Sequence, residues 1–269
     1  MNTGSIAALL GAVLFAAAPL VLAALGETIS ERGGVINLSL DGTILLAAMA
    51  AFAVARATGT PWLGLAAGAG AGAAVATLLA LFGLLPGVSE LAVGFVLTLF
   101  CRELAYFLGN AQAREPGPDL GVFHIPGLAD IPVLGPVVFR QSPVVVLSLV
   151  AVAGVWFFLM RTRAGLVVRA VGESPVAAGA RGIHVRRIRF LGCLAGGALT
   201  GCAGAFYSLA VKPGWGHPQG CEGAGWIALA IVIFGGWQPV RVAFGAFFFA
   251  AIQVAGIALQ DVLPGLSGT

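Results

Sequence analysis

Apolar residues in this chain do not alternate with polar ones; they run on. Continuous apolar stretches occupy residues 6–25, 37–55, 62–85, 88–108, 143–160, 190–210, 225–236 and 242–262. All but one are 18–24 residues long. At about 1.5 Å per residue, that is the length of a helix crossing about 30 Å of hydrocarbon. The exception, 225–236, is too short for a full crossing. It reads either as a tilted helix or as a re-entrant segment buried in protein. A transmembrane β-barrel would show apolar and polar residues at every second position. The pattern therefore predicts an all-α, polytopic transmembrane helix bundle of about seven to eight spans. Gly33-Gly34, Thr60-Pro61, Pro86-Gly87 and Pro213-Gly214 punctuate it.

Composition narrows the class. Of 269 residues 59% are apolar and 9% charged, against about 25% charged in an average soluble domain. Mean hydropathy is +1.01. A soluble globule has no place for that much apolar surface, and disorder requires the opposite balance. The 40 glycines show no Gly-X-Y period, which excludes collagen. The start, MNTGSIAALL, has no basic segment ahead of its apolar run, so the first run is expected to be a retained helix rather than a cleaved signal peptide. One transmembrane domain, 1–269, is expected.

The distribution of charge orients the bundle. Seven of the 13 arginines fall between Arg161 and Arg189, with no nucleic-acid motif beside them. The Pro- and Gly-rich link 109–141 (Pro116, Pro118, Pro126, Pro132, Pro136) carries only Arg114 and Arg140. The positive-inside rule puts 161–189 in the cytoplasm and 109–141 outside. Counting back four spans places the N-terminus outside. Arg56 then lies in an outer link, against the rule.

The chemistry of hydrolysis is missing. A P-loop needs G-x-x-x-x-G-K-[ST], and the single lysine, Lys212, is followed by Pro213. There is no H-E-x-x-H, and His124, His184 and His217 are far apart in sequence. No catalytic residues, metal ligands or cofactor are expected on this chain. Cys101, Cys193, Cys202 and Cys221 form no CxxC pair and read as small buried residues. Glycines recur at four-residue spacing at Gly64, Gly68 and Gly72, at Gly192 and Gly196, and at Gly197 and Gly201. Such spacing lets helix backbones approach closely in lipid.

Polar residues inside apolar runs mark candidate wet paths. A charge at mid-membrane costs at least about 2.5–3.5 kcal/mol, so it is usually paired or hydrated. Asn37, Asp41, Glu90, Thr98 and Trp226 are the candidate pathway residues. Each also has a plainer reading: a helix cap for Asn37, packing for the others, an interfacial anchor for Trp226. Arg102 and Glu103 lie in the same run as Thr98, pointing about 100° apart. Arg102 reads as either snorkelling or pathway-lining.

The link 161–189 holds a short helix. Ser174 is a capping hydroxyl and Pro175 suits the first helical position. Val176, Ala177, Ala178 and Ala180 continue the helix, and Gly182 ends it. A solvated loop gains nothing from presenting Val-Ala-Ala, whereas a partner's groove or a membrane surface would receive it.

That segment, RTRAGLVVRAVGESPVAAGARGIHV, resembles the cytoplasmic coupling loop of bacterial ABC importer permeases of the branched-chain amino acid, ribose and nucleoside/simple-sugar group. ERGGVINLSLDG (31–42), LADIPVLGPVVFRQSP (128–143) and GWIALAIVIFGGWQPVRVAFGA (225–246) resemble further segments of that group, in order. The nucleoside or simple-sugar type is the best match, with branched-chain amino acids after them. The resemblance implies a multi-pass subunit of the bacterial inner membrane, surrounded by lipid and binding no nucleic acid. It also implies a second, related permease (a heterodimer), cytoplasmic P-loop ATPase subunits that carry ATP and Mg, and an external solute-binding protein. Gly172, Glu173, Ser174, Pro175, Val176, Ala177, Ala178 and Gly182 would form the coupling helix. The chain departs from the group in carrying Asp41 where a glutamate is usual. It has Gly223-Ala224-Gly225-Trp226 where Gly-Arg-Gly-Trp is frequent, and its segment KPGWGHPQGCEG (212–223) is atypical. Relatives usually continue past the position of Thr269 into one more apolar helix. The alternatives are a stand-alone secondary transporter or channel, and a truncated, non-transporting paralogue.

Overall fold

The computed structural model describes residues 3–83, 85, 87–113, 115–121, 123–124 and 140–262. Pro86, Arg114, Pro126, Pro132, Pro136, most of the segment 128–143 and residues 263–269 lie outside the described residues.

The apolar runs fold as helices α1 (Thr3–Arg32), α2 (Leu40–Thr58), α3 (Pro61–Gly83), α4 (Glu90–Gly109), α5 (Pro143–Arg161), α8 (Val185–Phe206), α9 (Ala224–Phe234) and α10 (Pro239–Val262). Among the described residues, seven helical stretches are long and apolar enough to cross a membrane, and α9 is a shorter apolar helix of 11 residues. The chain is thus an all-α polytopic membrane bundle. Prolines open α3, α5 and α10, where the first turn's N–H groups have no intrahelical partner to lose. Gly59, at φ 68°, closes α2. Between α5 and α8 lie α6 (Arg163–Glu173) and α7 (Pro175–Ala180). The expected short helix is α7; α6 was not anticipated. A two-residue antiparallel pair, β1 (Phe123–His124) and β2 (Arg140–Gln141), joins parts of the 109–141 link, with Phe123 opposite Gln141.

Helix α1 runs seven residues past its apolar stretch and buries Glu27, Thr28 and Ser30. Its hydroxyls turn back on their own helix: Thr28 Oγ1 donates to the Ala24 carbonyl at 2.7 Å and Ser30 Oγ to that of Gly26 at 3.4 Å. A hydroxyl so bonded hides its polarity from an apolar surrounding.

The centre of the bundle is a seam of small residues. α3 runs antiparallel to α8, so that Gly64 meets Leu209, Gly68 meets Gly201 and Ala205, and Gly72 meets Gly197 and Gly201. A Cβ on Gly72 would overlap the Gly197 carbonyl. α1 crosses α8 at Gly26 and Gly196 with the same closeness, and Gly204 of α8 lies on the Ile44 carbonyl of α2. In lipid no apolar solvation drives these helices together, so contact distance decides their pairing. The glycine repeats are therefore an internal seam of this chain. α4 and α10 lie at the periphery and expose Val96, Phe100, Phe107, Phe244, Phe248 and Ile252, an apolar surface suited to hydrocarbon.

The two ends differ. At one, α6 and α7 gather with the end of α1 and the turn between α9 and α10, amid the arginines of 161–189. At the other lie the link 212–223 and the start of the 109–141 link, where Lys212–Pro218 and Asn110, Ala113, Glu115 and Pro116 line a cleft of 760 Å³. Arg56, which contravenes the charge rule, is ion-paired there with Glu115. Cys101, Cys193 and Cys221 are buried as expected, and Cys202 is half-buried.

Candidate functional site

The arginine-rich end presents α7 outward. Ser174 Oγ accepts the Ala177 N–H at 3.3 Å, and Pro175 follows at the first helical position. The far end is a glycine-terminated cap: the Ile183 N–H donates to the Ala178 carbonyl and the Gly182 N–H to that of Gly179, with Gly182 at φ 81°. Only a residue free to adopt positive φ closes a helix this way at no steric cost. Six residues would not hold a helix alone; the two caps and the fit of Ala178, which is 4% exposed, hold this one. The face turned away from the bundle carries Val176, 85% exposed, with Ala177, Gly179 and Ala180. Gly172 is packed against the Arg32 carbonyl and Glu173 is exposed. Of the expected coupling residues, then, Val176 and Ala177 form the outward surface, Gly172 and Ala178 pack beneath it, and the exposed Gly182 turns the chain at its end.

The candidate pathway residues separate. Asn37 is 2% exposed and is not the cap of α2, a place taken by Ser39; it braces the turn ahead of it, its Oδ1 accepting the Ser39 N–H at 2.9 Å and its own N–H donating to Glu27 at 2.8 Å. Thr98 Oγ1 donates to the Leu38 carbonyl at 2.6 Å, and α4 closes on α2 where Gly42 faces the Thr98 backbone. Both residues shape the break between α1 and α2. Asp41 accepts the Gly225 N–H at 3.2 Å and so seats its carboxylate at the N-terminus of α9, where the helix dipole favours an anion. Gly225 leaves no space for a side chain beside Asp41 and Leu40. Trp226, the next residue, is 41% exposed. Glu90 stands apart, at the first turn of α4, about 12 Å along the axis from Thr98 at the ordinary rise. Asp41 and Trp226 are brought together; Glu90 is not with them.

The structure adds residues to this neighbourhood. Arg102 and Glu103 are exposed on α4, with Arg102 within electrostatic reach of Asp41 and Tyr106. The Tyr106 hydroxyl donates to Glu222, which also accepts the N–H groups of Gln219 and Gly220, each at 2.7 Å. Burial would raise the Glu222 carboxyl, but these donors outweigh it and hold it below its ordinary value. Burial likewise pushes the neighbouring Cys221 thiol up. Gln219 bridges Gly216 and Gly214, Lys212 Nζ donates to the Pro218 carbonyl at 2.6 Å, and the Tyr106 and His217 rings lie 4.0 Å apart. The atypical segment 212–223 is thus a tightly bonded link leading into α9. Tyr106 and Glu222 carried no motif; the signal for Glu222 was an acid three residues ahead of an apolar run.

Comparison with known proteins matches residues 9–267 to the family described as branched-chain amino acid transport system, permease component. TsgC13 of Haloferax volcanii, a provisionally assigned glucose ABC transporter permease protein, is 38% identical over 95% of this chain and 79% of its own length. The guanosine ABC transporter permease protein NupQ of Bacillus subtilis is 35% identical, over 94% and 82%. The nucleoside ABC transporter permease protein NupC of Lactococcus lactis is 32% identical, over 94% and 83%. No solved structure matches at a significant level. The chain belongs to the branched-chain amino acid transport system permease family and is a permease component of an ABC transporter.

Proposed function

From that membership we propose that this permease imports an uncharged, hydroxylated solute, a nucleoside or a simple sugar, across the cytoplasmic membrane. It works beside a second permease, is driven by cytoplasmic P-loop ATPase subunits, and is supplied by an external solute-binding protein. The observation that carries the reading is α7: a doubly capped helix seated on the arginine-rich end by the buried Ala178, whose outward face is Val176 with small residues. An exposed apolar face of this kind fits a groove on a partner. ATP and Mg bind the partner, in keeping with the missing P-loop lysine. The names of the relatives support both solute classes, glucose in one and guanosine or nucleoside in the others.

Solute passage is assigned to the neighbourhood of Asp41, Arg102, Glu222 and Trp226. Carboxylates and a guanidinium offer acceptors and donors to hydroxyl groups, and an exposed indole offers a face to a ring. Arg102, inside an apolar span, is hydrated on this reading rather than left in lipid. The test is uptake by proteoliposomes holding the whole complex, with labelled guanosine, glucose and leucine compared. Saturable, ATP-dependent uptake of guanosine or glucose is expected; uptake of leucine alone would overturn the assignment.

A further inference from the structure

Movement at α7 has to reach the membrane-embedded half of the chain, and the bonds able to carry it converge on the end of α1. Arg32 Nε donates to the Trp237 carbonyl at 3.0 Å, and one terminal nitrogen reaches the Gly236 carbonyl at 3.5 Å. The other terminal nitrogen is 4.0 Å from the carboxylate of Glu173, directly before the α7 cap. The Trp237 indole N–H donates to Glu31. Trp237 is left-handed, at φ 55°, and its N–H closes the end of α9 on the Val232 carbonyl at 3.2 Å. One guanidinium therefore ties together the α6–α7 junction, the end of α1 and the α9–α10 turn.

α9 is fastened at its other end too, by the Gly225 N–H on Asp41. A helix of 11 residues is stiff over its length of about 16 Å. Displacing the turn at 236–237 along its axis displaces Gly225 by nearly the same amount. The space beside the contact is open: Glu31, Arg32, Arg169, Gly172, Glu173 and Trp237 line a cavity of 310 Å³. The Arg32–Glu173 pair is long and its Glu is 77% exposed, so it adds little to folding. Its placement, rather than its strength, calls for an explanation.

We propose that Arg32, with Glu31 and Trp237, is the positioning contact that passes motion of the α6–α7 segment to α9, and through α9 to the Asp41–Gly225 junction. The proposal rests on the reading of α7 as the ATPase-docking helix, and the experiment separates the two. The assembled complex is reconstituted in proteoliposomes with guanosine and glucose as probes, and solute moved per ATP hydrolysed is measured. Arg32→Gln is expected to keep its ATPase partner and its ATP hydrolysis while the transport ratio falls about tenfold, the lower range for losing a charged hydrogen bond. Arg32→Lys, which keeps a charged donor, restores part of it. Trp237→Phe keeps an aromatic ring, though a smaller one, removes the donor to Glu31, and lowers the ratio in the same direction even if the Arg32 variant fails to assemble. Val176→Glu tests docking alone, by loss of the ATPase subunit. An unchanged ratio in Arg32→Gln and Trp237→Phe would overturn the relay and leave docking standing. An ATPase retained by Val176→Glu would overturn docking and the relay with it. Parallel loss of transport, hydrolysis and assembly in both relay variants would mark the contact as structural and overturn the relay.

Discussion

Asp41 does with a short side chain what an acid at this position must do to reach α9: it meets the Gly225 N–H only because Gly225 allows the two backbones to touch. Asp41→Ala should lower uptake far more than it lowers the amount of protein in the membrane; equal losses in immunoblot and uptake assay would make Asp41 a folding residue. Glu222 makes a pH prediction. Its folded carboxyl lies below the ordinary value of 4.5, held there against burial by Tyr106, Gln219 and Gly220. The stabilisation is therefore complete above the ordinary value and is lost as pH falls through the folded one. The gap in thermal midpoint between the wild type and Glu222→Gln should narrow from about pH 5 to about pH 3. A gap independent of pH would show that the charge contributes nothing. Asp41 was legible in the sequence because an acid in an apolar run is conspicuous. Glu27 and Glu31 were not, because the apolar run stops before them. The helix continues through them on contacts from remote segments: the Asn37 N–H for Glu27 and the Trp237 indole for Glu31.

The seam of α3 and α8 decides which helices are neighbours. Gly72→Val drives a branched side chain into the Gly197 carbonyl and the Gly201 backbone, and overpacking of this kind costs about 1–3 kcal/mol. Gly70, two residues away, meets nothing within 4 Å. Thermal unfolding in detergent should show a lower midpoint for Gly72→Val and little change for Gly70→Val. Equal midpoints would mean the seam can open. For α7, Ser174→Ala removes a cap worth about 1 kcal/mol; ATPase association should weaken several-fold while the bundle's midpoint stays. The ends of α7 were legible because Ser-Pro and Gly are local signals that tertiary structure did not override. α6 was not, since its arginines suggested a solvated link; Gly165, Val168 and Val171 are nevertheless buried, and the Thr162 hydroxyl caps its start. The strand pair of the 109–141 link had no alternation to betray it, being two residues long on each side.

At the scale of the molecule, the chain is a helix bundle with two unlike ends. Eight apolar runs in the sequence became, among the described residues, seven long spans and one short helix, because continuous hydrophobicity is a strong signal and needs no tertiary context. The partners of each helix were beyond it: glycine spacing announces close approach but not against which helix. The pairing of Arg56 with Glu115 was equally beyond it, since the two lie on segments far apart in the chain. The central claim is that α7 joins this permease to an ATP-driven partner. The most direct measurement is purification of the tagged chain from its native host in mild detergent, with the co-purifying chains identified and vanadate-sensitive ATP hydrolysis assayed, for the wild type and Val176→Glu. A stoichiometric P-loop ATPase and a second permease should accompany the wild type, and the ATPase should be missing from an otherwise intact Val176→Glu protein. A homo-oligomer with no ATPase, or an ATPase retained by the variant, would contradict the account.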